Sequence, residues 1–450
     1  ATAIAIAASA LTRPFLENYF SVQLVMDWWQ SGAVVFILAL LVVILLIATI
    51  YPALMMAAIP SIKILRGGKL SSGRGVTSQR TLVTAQFAIS IFLIAATLLI
   101  LSQLDYVLNK PLGFKKEAVV IIDMNNTDIR NKSELFKDEL RQSQFIQQIS
   151  SMSGEPGGFH DGTVLEFVGQ EGNHALRTVF TDHYYLSLFD IPVVAGRNFS
   201  KDIQSDETAV IFNQSALDAL NMTADEVIGQ KVVIPYFGDE ERRVIGVADD
   251  FHFSTLKDKI EPMIIAGGSF HRKFAVKLNA SNLYDGLQEI ESKWEQMAPN
   301  DPIQYRFLDE AWFQLYEKEH QQASVFKALS GIALFLCCIG IFGLVSFTAQ
   351  QRQKEFGIRK VLGASIVQIL SLISREFVLL ILAGAVIGLP LSWYFIDGWL
   401  TDFSYRIGII SQWPLFISSG ITVLIITLLT IGLKTYRTSI MNPSESIRYE

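Results

Sequence analysis

The stretch Gln350–Ser365 reads QQRQKEFGIRKVLGAS, basic and helix-prone, and its neighbours decide the fold. Val325–Ala349 before it and Ile366–Trp393 after it are apolar over lengths that exceed the ~20 residues of helix needed to cross a bilayer. The stretch is therefore a short loop held at one membrane face. If Gln350–Val361 is helical, Lys354, Ile358 and Val361 share one face while Glu355, Arg359 and Lys360 project toward others. Gly363 stands where such a helix would end. A positively charged anchor accounts for the bases, but not for Phe356, Gly357, Ile358, Val361, Leu362 and Gly363 interleaved with them; docking of a soluble partner accounts for both.

Outward from this loop, Ala33–Met55, Leu82–Leu101, Val325–Ala349 and Leu370–Ile396 read as membrane spans, and Leu415–Leu433 is equally apolar. Ala1–Leu11 is apolar but too short to span, lacks the basic flank of a signal peptide, and reads as the end of a helix. Half of the residues are hydrophobic and the mean hydropathy is +0.35, too apolar for an ordinary soluble protein and too polar for spans alone. The charge divides accordingly. Residues 104–324 carry 35 Asp+Glu against 21 Lys+Arg, whereas the rest of the chain carries 8 against 16.

Lys and Arg in short loops set orientation. Lys63, Arg66, Lys69, Arg74 and Arg80 follow the first span. Arg352, Lys354, Arg359, Lys360 and Arg375, against Glu355 and Glu376, mark the loop after Ala349, and Lys434, Arg437 and Arg448 mark the tail. These regions belong in the cytoplasm. The acidic domain and the short Asp397–Gln412 loop then lie outside. That domain has no cysteine and must rely on its own core, while the adjacent Cys337 and Cys338 read as small apolar filling within a span.

The two ends of the chain repeat. Trp29 precedes a span that exits into Pro60-Ser61-Ile62-Lys63-Ile64-Leu65-Arg66, and Trp413 precedes one that exits into Pro443-Ser444-Glu445-Ser446-Ile447-Arg448. Leu16-Glu17-Asn18-Tyr19 matches Leu400-Thr401-Asp402-Phe403 in character. Duplication is the expectation, with the chain holding the tail of one half and the whole of a second.

Within the exported domain, Ala118–Asp123, Thr163–Val168, Arg177–Thr181, Lys231–Pro235, Arg242–Ala248, Lys273–Leu278 and Ile303–Phe307 read as strands. Lys132–Ser143, Gln214–Leu220 and Leu283–Met297 read as helices. A strand-helix-strand set before Ser153 and another after His271 enclose a strand-rich block, so two α/β subdomains are expected, one discontinuous and one inserted. Both junctions with the membrane read as helical: Gln103–Asn109 continues its span, and Glu310–Ser324 runs into the next without Pro or Gly.

Catalytic constellations are missing. No GxxxxGK[ST] motif is present, so ATP hydrolysis by a P-loop falls to another chain. Gly154–Gly162 (GEPGGFHDG) lacks the Lys and hydroxyl of a phosphate cradle and reads as a flexible loop; Asp249-Asp250-Phe251-His252 reads as a strand-ending turn rather than a metal site. The cores of the spans carry no charge, unlike those of ion-coupled transporters. Gly331, Gly340, Gly343, Gly384 and Gly388 would let helices approach closely.

Gln350–Ser365 closely resembles the signature of MacB/FtsX-like ABC transporter permeases, approximately R-x-K-E-I-G-I-R-K-V-L-G-A-S. The resemblance extends to Arg80-Thr81-Leu82-Val83 with Gln86-Phe87 and Ser90, to Gly113-Phe114-Lys115-Lys116-Glu117, and to Ala195-Gly196-Arg197-Asn198-Phe199. It continues through Ile245-Gly246-Val247, Asp250-Phe251-His252-Phe253 and Pro443-Ser444. It implies a two-half permease of the type common in Bacteroidota, of which this is the C-terminal portion. The implied fold is a membrane α-helical bundle plus an α/β extracytoplasmic domain, a MacB-like periplasmic core domain with porter-like and inserted subdomains. The implied organisation is the end of a first FtsX-like half (1–68), a cytoplasmic linker (69–81), a stalk helix (82–103), the periplasmic core domain (104–324), and a second FtsX-like domain (325–450) with a coupling loop (350–365).

A permease of this kind sits as a multi-pass protein in the inner membrane, with its large domain in the periplasm. It is not itself an enzyme and holds no cofactor; ATP and Mg belong to a cytoplasmic ABC ATPase dimer. Other implied partners are a membrane-fusion protein or another periplasmic protein, and no nucleic acid. Arg352, Lys354, Glu355, Gly357, Ile358, Arg359, Lys360, Val361, Leu362 and Gly363 would form the ATPase-coupling loop, with Ile358 and Leu362 as apolar anchors. The implied function is mechanotransmission for export or efflux. An FtsX-type regulator of a cell-wall hydrolase shares this machinery, and a transmembrane ligand sensor is the reading from another class.

Overall fold

A computed structural model of the chain describes residues 73–351 and 362–439, with the single positions 35, 38, 39, 41–43, 45, 46, 49, 355, 358 and 359. Most of the expected span Ala33–Met55, and the repeat landmarks Trp29, Pro60 and Pro443, lie outside the described residues. The main helices are α1 (Gly73–Asn109), α2 (Ser133–Arg141), α3 (Gln214–Leu220), α4 (Leu283–Met297), α5 (Leu308–Gln314), α6 (Glu317–Gln351), α7 (Ile366–Leu400) and α8 (Trp413–Ser439). The strands are β1 (Val119–Asp123), β2 (Ile146–Met152), β3 (Asp161–Phe167), β4 (Asn173–Thr181), β5 (Val193–Gly196), β6 (Ala209–Asn213), β7 (Lys231–Val233), β8 (Arg242–Ala248), β9 (Met263–Gly267), β10 (Lys273–Leu278) and β11 (Gln304–Phe307). Two compact units result. One gathers Ala1–Leu101, Gln321–Asp397 and Gly408–Glu450; the other, the large domain, gathers Ser102–His320 and Gly398–Ile407.

Among the described residues, four stretches are long and apolar enough to cross a membrane, Arg80–Asn109, Glu317–Ser346, Leu370–Leu400 and Ile409–Leu433, and they supply most of the described part of the first unit. Helix α1 lies at the centre of the packing. Its Phe87, Ile91, Ala95 and Leu99 recur at every fourth position and are fully buried, and Phe87 and Ile91 share a core with Cys337 and Ile341 of α6, Phe377 and Ile381 of α7 and Val423 of α8. Hydrophobic burial cannot order helices in lipid, so close approach and hydroxyl contacts must. A Cβ on Gly388 would sit 2.5 Å from the Ala88 carbonyl oxygen, and one on Gly384 2.8 Å from the Phe87 Cβ. The α1–α7 seam therefore exists only because both positions lack a side chain. Gly340 similarly faces Gln86, but Gly331 and Gly343 meet no atom within 4 Å, so those two do not serve packing as the sequence suggested. Between α1 and α6 the hydroxyls of Thr97 and Ser330 meet at 2.9 Å in the buried interior.

The large domain is built on an eleven-stranded sheet in the order β11-β1-β10-β2-β4-β3-β7-β8-β6-β9, with β5 on β8 and β9 closing back onto β4. The two expected subdomains are both there. The discontinuous one is the antiparallel run β11-β1-β10-β2, whose core joins Phe136 and Leu140 of α2 to Phe274 of β10 and Trp294 of α4. The inserted one runs from β3 to β9 as a closed ring of strands around Leu165, Phe180, Phe212, Val232, Val244 and Ile264. Closure through the β4–β9 pairing leaves this ring few free edges, which suits a domain without cysteine. Only the pair Met152–Thr181 joins β2 to β4, so the two sheets share a narrow hinge.

Helix α1 is continuous through the junction to Asn109, as expected. The second junction differs. The expected helix from Glu310 breaks between α5 and α6 at Leu315 and Tyr316, because Tyr316 is buried and its hydroxyl accepts the Leu256 N–H at 2.8 Å.

Candidate coupling elements

Of the expected coupling residues, Arg352, Lys354, Gly357, Lys360 and Val361 lie outside the described residues. The structure places Glu355, Ile358 and Arg359 in helical conformation, followed by a turn at Leu362 and Gly363. The Leu362 N–H donates to the Ile358 carbonyl at 3.0 Å and the Ala364 N–H to the Arg359 carbonyl at 2.9 Å, the pattern of a helix ended by a left-handed residue. That residue is Gly363, at φ +91°, where glycine is needed for its backbone and not for space. Ser365 and Gln368 then exchange side-chain-to-backbone bonds of 3.0 and 3.3 Å in a capping box that starts α7. The result is a compact turn. Glu355 and Arg359 pair at 2.7 Å one helical turn apart, worth only about 0.3–0.5 kcal/mol at such exposure. Ile358 and Leu362, also one turn apart, stand 62% and 81% exposed.

A second constellation lies at the base of the large domain, and sequence reading missed it. Gln103 of α1 is fully buried; its amide donates to the Tyr405 carbonyl at 3.0 Å and accepts the Ile407 N–H at 2.9 Å. The Ser404 N–H donates to the Lys257 carbonyl at 2.9 Å, and the Lys257 ammonium pairs with Glu319 of α6. Lys110 lies 4.7 Å from the Tyr405 ring, against which His252 packs edge-on. The signal available in the sequence was Gln103 itself, an amide where α1 is still apolar.

Two expectations about loops resolve differently. Asp250 does end a strand, and its carboxylate takes the Ser215 N–H (2.9 Å) and hydroxyl (2.7 Å), capping the start of α3. The glycine-rich Gly154–Gly162 is not a free loop. Glu155 is buried within it, bonded to Lys273 at 2.7 Å and to Arg306, while Trp312 donates its indole N–H to the Pro156 carbonyl at 3.1 Å. Among the described residues no three His, Cys, Asp or Glu side chains converge as metal ligands. Burial pushes His160, His252 and His271 down to about 4, so these imidazoles are neutral at physiological pH.

The hinge between the subdomains is pinned by one carboxylate. Asp182 accepts the Ser150 hydroxyl (2.6 Å), the Ser151 N–H (3.0 Å) and the Lys137 ammonium (2.9 Å) beside a cleft of 660 Å³. Burial alone would raise its carboxyl, yet Lys137 and these donors hold it below the usual 3.8. Glu155, ordinarily 4.5, is likewise raised by burial but lowered overall by Lys273 and Arg306. A depressed carboxyl contributes stability that is complete above its unfolded pKa and is lost as pH falls through the folded one. The thermal midpoint of the full chain in detergent is therefore expected to fall steeply below about pH 4, and less so in Asp182→Asn. Equal acid sensitivity in both would remove Asp182 from this role.

Comparison with known proteins follows the same division. The family model described as MacB-like periplasmic core domain matches residues 87–283, and that described as FtsX-like permease C-terminal matches residues 327–443. No curated protein matches significantly. Similar solved structures include the periplasmic region of MacB from Actinobacillus actinomycetemcomitans, at 13% identity and TM-score 0.35, covering 46% of this chain and 97% of that one. A domain of a putative permease protein from Porphyromonas gingivalis is similar at 12% identity and TM-score 0.31, covering 43% and 90%. Those scores are too low to add to the strand order above. With a MacB-like periplasmic core domain followed by an FtsX-like permease C-terminal domain, the chain belongs to the MacB/FtsX-like ABC transporter permeases.

Proposed function

We propose that this chain couples ATP hydrolysis on a separate cytoplasmic ATPase to movement of its large domain in the periplasm, in the service of export or efflux. The observation that carries this reading is the exposed pair Ile358 and Leu362 on one face of a turn fixed at both ends by Gly363 and the Ser365–Gln368 box. An apolar pair so exposed beside the Glu355–Arg359 charges has the composition of a docking anchor with a polar rim. Uncharged span cores suit a machine that transmits motion better than one that conducts ions. A membrane-fusion protein or another periplasmic partner would act on the large domain.

The test is Ile358→Ala with Arg359→Ala in the full chain purified with its ATPase. Truncating a central anchor costs about 2 kcal/mol or more, so co-purification and chain-dependent stimulation of hydrolysis are expected to fall at least about 30-fold while membrane expression stays normal. Unchanged co-purification together with unchanged stimulation would contradict the reading.

A further inference from the structure

The last three residues of α7 and the first seven of its link to α8, together Gly398–Ile407, belong to the large domain's own compact unit. This ten-residue connection is held by more than apolar contact. Gln103 supplies one planar amide that donates at one end and accepts at the other, so it binds the backbone of Tyr405 and Ile407 as a neighbouring strand would. Ser404 and Tyr405 donate their N–H groups to the carbonyls of Lys257 and Leu256, at 2.9 and 3.3 Å. The Lys257 ammonium sits 5.5 Å from the Phe403 ring and pairs with Glu319 at the start of α6. The connection is thus fastened to α1 through Gln103, to Lys110 just beyond its end, and to α6 by way of Lys257. Gln103 is the buried member of the set, and its loss would strand a carbonyl and an N–H away from water.

We propose that this outer connection is a third drive element of the large domain, alongside the helical junctions of α1 and α6, and that Gln103 is the positioning residue that engages it. The proposal rests on the reading above. Helix α7 begins directly after the coupling turn and runs to Leu400, so its last three residues lie within Gly398–Ile407 and displacement of the turn is delivered along one helix to the residues that Gln103 and Lys257 hold. Neither Leu nor Glu can replace that amide at neutral pH. Leu does neither job, and an ionised Glu accepts from Ile407 but cannot donate to Tyr405.

The test uses the full chain with its ATPase in lipid nanodiscs, reading amide hydrogen exchange at residues 404–407 and the ATP-dependent change in distance between spin labels on the large domain and on α8. Gln103→Leu is expected to keep co-purification and stimulated hydrolysis, to speed exchange at 404–407 about ten-fold, and to reduce the ATP-dependent distance change by about half. Should Gln103→Leu fail to insert, Gln103→Glu serves instead. Protonation restores its donor, so its exchange relative to the unsubstituted chain at the same pH is expected to recover as the medium is acidified. A full distance change in either variant despite faster exchange overturns the proposal alone, as does unaltered exchange. Lack of any ATP-dependent change in the unsubstituted chain overturns the coupling reading and this proposal together.

Discussion

Gly388→Leu is expected to lower the thermal midpoint of the full chain in detergent more than any other single substitution in its membrane helices. A Cβ there would lie 2.5 Å from the Ala88 carbonyl oxygen and 3.2 Å from the Ala88 carbonyl carbon, and these are backbone atoms of a continuous helix that cannot rotate aside. Overpacking a core costs about 1–3 kcal/mol when side chains can adjust, and the upper end of that range is expected where they cannot. Gly331→Leu provides the control. Position 331 meets no atom within 4 Å, so a leucine there should leave the midpoint unchanged. Equal losses in the two variants would show that a leucine is disruptive wherever it is placed in these helices, and that the α1–α7 seam is not what Gly388 protects.

Glu155→Ala is expected to cost about 3–5 kcal/mol, the penalty for leaving a buried partner charge uncompensated. Glu155 is 1% exposed, and its removal abandons the ammonium of Lys273, itself only 19% exposed, along with the half-exposed guanidinium of Arg306. Adding Lys273→Met should return a large part of the loss, because the second substitution removes the stranded charge. Denaturant unfolding of the two variants and of the unsubstituted chain measures this. A double variant no more stable than Glu155→Ala would mean that the carboxylate matters through its neighbours' backbone and not through the ion pair.

These two sites differ in how much of them sequence could reveal. The Gly384 and Gly388 spacing announced a close helix contact, and the partner turned out to be Ala88 of α1. Glu155, by contrast, sat in a run of glycines that read as flexible. Its burial depends on Lys273 and Arg306, more than a hundred residues away, and local composition carries no trace of that. Helix α3 was read to the residue because both ends are local: Asn213 caps its start, accepting the Ala216 N–H at 3.0 Å, and Asn221 ends it at φ 54°. Strands β5, β6 and β9 were not read, and β2 entered only as the unplaced second strand of the set before Ser153. IQQISSM in β2 looks polar, but its serines are satisfied by Asp182, and AVIFN and MIIAG are apolar runs too short to show any period. The helix end at Gly363 was legible for the same reason as α3, since that glycine acts on its own neighbours, whereas the equally local Ser365–Gln368 box was not read. Gln103 and Tyr405 stand 302 positions apart, and only the folded chain brings them together.

The most direct test of the coupling account is the distance between one spin label at Tyr236, 82% exposed on the large domain, and another at Leu433, 72% exposed on α8. It is measured in nanodiscs with the ATPase bound, without nucleotide and with ATP trapped. The account predicts a shifted distance distribution with ATP, and the loss of that shift in the Ile358→Ala and Arg359→Ala double variant. Superimposable distributions in the two nucleotide states, from an assembly that still hydrolyses ATP, would contradict it.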